Sequence, residues 1–73
     1  MNAALKSYEN AVQLYPLSAE AREGRARALY VRSRLTGSRR DLEEAAAEQE
    51  RALPLDRLNA SLRAELEVYR LQR

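Results

Sequence analysis

Small and apolar residues return along this chain every three to four positions, and Pro16, Gly37 and Pro54 interrupt the pattern, dividing it into four helix-length segments. In the first, Ala4, Tyr8, Ala11, Val12 and Tyr15 share one helical face. A helix over about 2–15 follows, with Asn2 as its cap, because Pro16 cannot continue it and restricts the residue before. Ser18 is placed to cap a second helix running to Thr36, with Glu20 in its first turn and Gly37 suited to a left-handed C-terminal position. Its seam of Ala21, Gly24, Ala28, Val31 and Leu35 predicts close packing against helix one or three, which leaves Leu29 and Tyr30 as expected exposed contacts.

The third segment, 38–53, opens on Ser38 and Asp41, the spacing of a capping box, and carries Leu42, Ala45, Ala46, Gln49, Ala52 and Leu53 on one face. The fourth, 56–72, starts near Asp56 or Asn59 and turns Leu58, Leu62, Leu66 and Tyr69 inward. Connections of about two to five residues predict that neighbouring helices lie antiparallel, giving one all-α domain over residues 1–73. Tyr8 and Tyr69 fall on apolar stripes and are expected in the core, whereas Tyr15 and Tyr30 lie near helix ends or flanks.

The chain also repeats itself. Residues 4–22 laid over 45–63 match at seven of nineteen positions: Ala4/Ala45, Glu9/Glu50, Ala11/Ala52, Leu14/Leu55, Leu17/Leu58, Ala19/Ala60 and Arg22/Arg63. A lag of 41 residues between helix-forming segments is the signature of stacked helical hairpins, which work by presenting a surface.

Ala4, Tyr8, Ala11 and Pro16 have the small–aromatic–small–proline spacing of the second helix of a tetratricopeptide repeat, and Pro16-Leu17-Ser18-Ala19-Glu20-Ala21 is similar to the start of the next repeat's first helix. Asp41-Leu42-Glu43-Glu44-Ala45 and Ala52-Leu53 echo the pattern, with Leu55-Asp56 where the family often has Leu-Asp-Pro. The chain therefore resembles that family in the order second, first, second, first helix, and the resemblance implies tetratricopeptide-like hairpins. Departures are plain: Arg22 and Arg25 stand where an aromatic and a leucine are usual, Gln49 replaces the aromatic that Tyr8 supplies, and Arg57 replaces Pro16. The lag exceeds the family's usual 34 by seven residues, which predicts helices two and three lengthened by about one turn each, helix two to about 18 residues.

Charge is unevenly placed. Residues 22–40 hold seven arginines and one glutamate, whereas 41–50 hold five acids and no base. A phosphate-binding strip is one reading of the arginines. The favoured one is that helices two and three face each other with opposite charges along their flanks, because the net charge is only +2.

Composition narrows the chemistry. Thirteen Ala, twelve Leu, twelve Arg and nine Glu favour helices, and only four β-branched residues oppose a sheet. With no Cys and no His, a disulfide framework, an ordinary zinc site and the usual general base are not expected. The serines have no histidine to activate them, and the two glycines form no phosphate loop. No apolar run reaches the roughly 18 residues of a membrane span, and no signal peptide is visible after Met1. We therefore expect no catalytic residues, metal or cofactor, and no membrane insertion. The compartment is unassigned, with the cytoplasm favoured for the chain as given.

The leading expectation is a non-catalytic interaction scaffold that holds a protein or peptide partner. Under the family resemblance, Arg22, Arg25 and Arg63 occupy first-helix positions on a concave face and would suit an acidic ligand. The second expectation is a self-associating bundle: neither end carries a polar capping helix, so the Leu58, Leu62, Leu66 and Tyr69 stripe would be half covered and would drive homo-oligomerisation. A basic nucleic-acid binder stands third.

Overall fold

The computed structural model describes residues 2–72, and among them the chain forms four α-helices: α1 (Asn2–Leu14), α2 (Ala19–Thr36), α3 (Arg39–Ala52) and α4 (Ala60–Leu71). Local chemistry sets most of the boundaries. The Ser18 hydroxyl accepts the Ala21 amide at 3.1 Å and Ser38 accepts that of Asp41 at 3.2 Å. Asn59 opens α4 by accepting the Ser61 amide at 3.0 Å. Gly37 closes α2 at φ 75°, its amide donating to the Ser33 carbonyl. That conformation costs a residue with a Cβ more than it costs glycine.

Two local expectations are corrected. The capping box at Ser38 is half made: the Asp41 carboxylate turns away to Arg32, and the Ser38 amide donates to Thr36 Oγ1 at 3.3 Å. The connection after α3 is also longer than expected. Residues 53–59 carry the chain to α4 through a 3-10 turn at Leu53–Leu55, where Pro54 needs no amide partner, so of the two expected starts Asn59 is the cap, Asp56 is not, and α4 begins at Ala60. Helix α2 has the expected 18 residues, and α3 has 14.

Side-chain pairs fix the packing. Arg22 and Arg25 meet Glu48 while Arg32 meets Asp41, so numbers rise on α2 as they fall on α3 and the two helices are antiparallel. Against α4 the numbers rise together, in Arg27–Glu65, Tyr30–Tyr69 and Arg34–Gln72, so α2 and α4 run parallel. Helix α1 folds back on the N-terminal half of α2, where Arg25 meets Glu9. The Cα envelope measures 30 × 26 × 14 Å. That is about two helix layers at the usual spacing of ~10 Å, which leaves the outer sides of α1 and α4 open.

The core gathers Leu5, Ala26, Leu29, Leu42, Ala45, Ala46, Leu66 and Tyr69. Leu29, expected at the surface, is among its most buried members. Helix α2 is packed by α1, α3 and α4 together, so no single stripe describes its buried side. Conversely, α1 buries Leu5 and leaves Ala4 exposed, against the expected stripe. Tyr8 lies with its ring directly over Gly24, where a Cβ would collide with the ring, so glycine permits the close approach of α1 to α2. The ring still exposes 41% of the tyrosine. No described helix is long and apolar enough to cross a membrane.

Candidate interaction surfaces

The seam between α2 and α3 is a ladder of ion pairs centred on Glu48, whose side chain is only 3% exposed. Arg22 Nη1 donates to Glu48 Oε1, and Arg25 Nη1 to Oε2 at 2.6 Å. Arg22 Nε also donates to the Pro16 carbonyl at 3.0 Å, tying the α1–α2 turn to the same cluster. At the far end Arg32 grips Asp41 through both carboxylate oxygens, at 2.8 and 2.9 Å, and holds that carboxyl below its usual range. The opposite charges of the two segments thus meet along their flanks. A guanidinium engaged by a buried carboxylate is not a free phosphate contact.

This geometry separates the three arginines expected to share a ligand face. Arg22 and Arg25 spend donors on Glu48 between α2 and α3. Arg63 sits exposed on α4 and has no ion-pair partner among the described residues. The four residues expected on a half-covered association stripe separate as well. Leu62, Leu66 and Tyr69 are buried within the chain's own core, whereas Leu58 lies in the α3–α4 connection and is exposed.

Where α2 and α4 lie side by side, a polar ribbon forms. Arg27 Nη2 reaches Glu65 Oε1 at 3.1 Å, Glu65 Oε2 at 3.2 Å and Glu23 Oε2 at 3.4 Å, and the Tyr69 hydroxyl donates to Glu65. The Tyr30 and Tyr69 rings meet with centroids 4.9 Å apart. Hydrogen bonding to Glu65, then burial, then the Glu65 charge push the Glu23 carboxyl from its ordinary 4.5 up to about 7, against the pull of Arg27 and with a further push from Glu20. Glu23 therefore holds its proton well above the usual carboxylate range. Burial likewise raises the Tyr69 hydroxyl, while Glu65 raises Arg27.

Because the Glu23 value is raised on folding, the contribution of the pair is complete below pH 4.5, where folded and unfolded chains both hold the proton. It is lost as the pH climbs towards about 7 and changes little beyond. We expect the thermal midpoint to fall across that window, and Glu23→Gln to flatten the profile and raise the midpoint near neutral pH by several degrees, at about 4–8 °C per kcal/mol for a chain of this size. A thermal series from pH 4.5 to 8 checks this. Glu20→Gln, which alters only a weaker neighbouring charge, should keep the parent profile.

Two concave regions are open. One of about 310 Å³ lies at the α2–α3 turn, lined by Ser33, Arg34, Gly37, Ser38, Arg39, Leu42 and Gln72. The other, about 230 Å³ and largely apolar, lies between α1 and α2 against Tyr8, Ala11, Tyr15, Ser18, Glu20 and Ala21. On the opposite edge Ala60, Ala64, Val68 and Leu71 line one side of α4, all exposed. The pattern that points out this second stripe, spacings of four, four and three, is present in the sequence. The burial of Glu48 had a weaker signal, its position beside the Ala45–Gln49 face.

Compared with known protein families, with curated proteins and with solved structures, the chain shows no match.

Proposed function

We propose that this chain is a non-catalytic protein–protein interaction module built from tetratricopeptide-like helical hairpins. The observation that carries the reading is the placement of the two helices equivalent under the internal repeat. Helix α2 opens after Ser18 and α4 after Asn59, 41 residues on, and the two lie parallel, side by side. Equivalent helices set in parallel make a continuous face, as in stacked repeat arrays. Along the line where α4 meets α2, Arg27 and Arg34 stay exposed on either side of the half-buried Tyr30, a composition suited to holding a peptide by hydrogen bonds and stacking. The acidic-ligand role passes from Arg22 and Arg25, held in the α2–α3 seam by the buried Glu48, to the exposed Arg27 and Arg34, whose partners are Glu65 and Gln72 at the surface.

The test is amide-shift mapping of the full chain against short acidic, basic and neutral helical peptides, with duplex DNA as comparator. A bound peptide should perturb residues 23–34 of α2, and Arg27→Ala should weaken it about tenfold, equivalent to about 1.4 kcal/mol. Absence of shifts with every peptide overturns the reading. So does binding confined to DNA with a steep salt dependence, which would favour a phosphate-binding role.

A further inference from the structure

We infer that the chain stacks head to tail on further copies of itself, the open α1 face of one copy receiving α4 of the next. The inference rests on the interaction-module reading and names one partner for it.

The internal repeat places what is covered beside what is not. Ala45, Gln49 and Ala52 on α3 each have 0% exposure. Helix α2 lies along α3, and α4 closes the same face, with Gln49 Nε2 donating to the Leu62 carbonyl at 3.0 Å. Their counterparts 41 residues earlier are Ala4, Tyr8 and Ala11 on α1. There Ala4 is exposed, Tyr8 and Ala11 are incompletely covered, and the apolar hollow of about 230 Å³ opens beside them. What α1 lacks, relative to α3, is a helix in the position that α2 occupies over α3.

The chain contains one helix equivalent to α2, and its outer side is open. Helix α4 rests on α2 along Glu23, Arg27 and Tyr30. The counterparts of those residues on α4 are Ala64, Val68 and Leu71, continued by Ala60 as the counterpart of Ala19, and all four are exposed and apolar. The interface already formed between α2 and its neighbours thus continues, on both edges, into faces that no helix covers among the described residues. Their occupants are the same two elements offered by another copy. Arg63, the counterpart of Arg22, lies on the side of α4 that would meet the second copy's α1, where Ser7 stands at the position equivalent to Glu48 and Glu9, already 3.6 Å from Arg25, remains partly exposed. Because the two faces differ, the contact is heterologous and does not close on itself as a two-fold dimer would.

Sedimentation of the full chain over tens to hundreds of micromolar tests this. The average mass should rise past that of a dimer without a plateau. Ala4→Glu blocks one face and Val68→Glu the other, so each variant alone should sediment as a monomer. An equimolar mixture of the two should form a 1:1 dimer and nothing larger, since each variant keeps one working face. Far-ultraviolet circular dichroism establishes that the variants remain helical. If Val68→Glu loses helicity, Ala64→Lys on the same stripe replaces it. A parent chain that is monomeric throughout, a parent mass that levels off at the dimer, or a mixture that stays monomeric overturns the inference. None of these results bears on peptide binding to the α2/α4 ribbon, which is judged separately.

Discussion

Glu48→Ala is expected to cost about 3–5 kcal/mol of folding stability, the range for removing one partner from a buried ion pair. The carboxylate is almost fully enclosed and holds Arg22 through one oxygen and Arg25 through the other, with Arg51 Nη1 at 3.7 Å. Without it, two guanidinium groups that are themselves only 19% and 20% exposed lose their main counter-charge in the α2–α3 seam. A domain of this size has about 4–11 kcal/mol in total, so the variant should stand near the edge of folding. Glu48→Gln should fall between, since it keeps the shape and loses the charge. Glu44→Ala removes only exposed contacts, to Arg25 at 3.5 Å and to Arg40 at 4.0 Å, and should cost less than about 1 kcal/mol. Urea unfolding followed by circular dichroism measures all three. If Glu48→Ala lies within 1 kcal/mol of the parent, the cluster does not hold the hairpin together.

Leu62→Ala is the second large effect, about 2–5 kcal/mol, because Leu62 is 1% exposed beneath α3 and its truncation leaves a cavity. Leu58, four residues earlier and on the same expected stripe, is 98% exposed, and Leu58→Ala should change stability by less than about 0.5 kcal/mol. The contrast measures where α4 starts. A helix beginning at Asp56 would carry Leu58 inward with Leu62, whereas the Asn59 cap leaves Leu58 in the connection. Comparable losses for the two substitutions in the same urea experiment would show that the stripe begins at Leu58 after all.

Much of the fold was legible residue by residue. Ser18, Ser38, Gly37 and Asn59 act within a few bonds of themselves, through one hydroxyl, one amide side chain or one backbone angle, and each marks a boundary where the structure has one. Pairing of the basic and acidic segments was legible for a related reason: a tight turn at Gly37 forces α2 and α3 to face each other, and opposite charges follow. The connection after Pro54 was less legible, because a proline ends a helix without specifying how many residues the chain takes to begin the next.

The candidate surfaces were legible only in part. Arg22 and Arg63 are equivalent under the repeat, yet α3 lies against the first and leaves the second open, so equivalent positions acquire different partners. The same holds for Ala4 and Ala45, one exposed and one with none of its surface accessible. Leu29 is buried off the expected seam because the period of 3.6 residues identifies a buried side only when a helix is covered on one side.

The helical class and the capped termini at Ser18, Gly37, Ser38 and Asn59 follow from sequence alone, since these depend on interactions within a few residues of one another. The tertiary structure alone decided which side of each helix is covered, that Glu48 becomes a buried hub, and that α1 and α4 keep open apolar faces. Burial depends on which neighbour arrives, and positions 41 residues apart, such as Ala4 and Ala45, are identical in sequence whichever neighbour they meet.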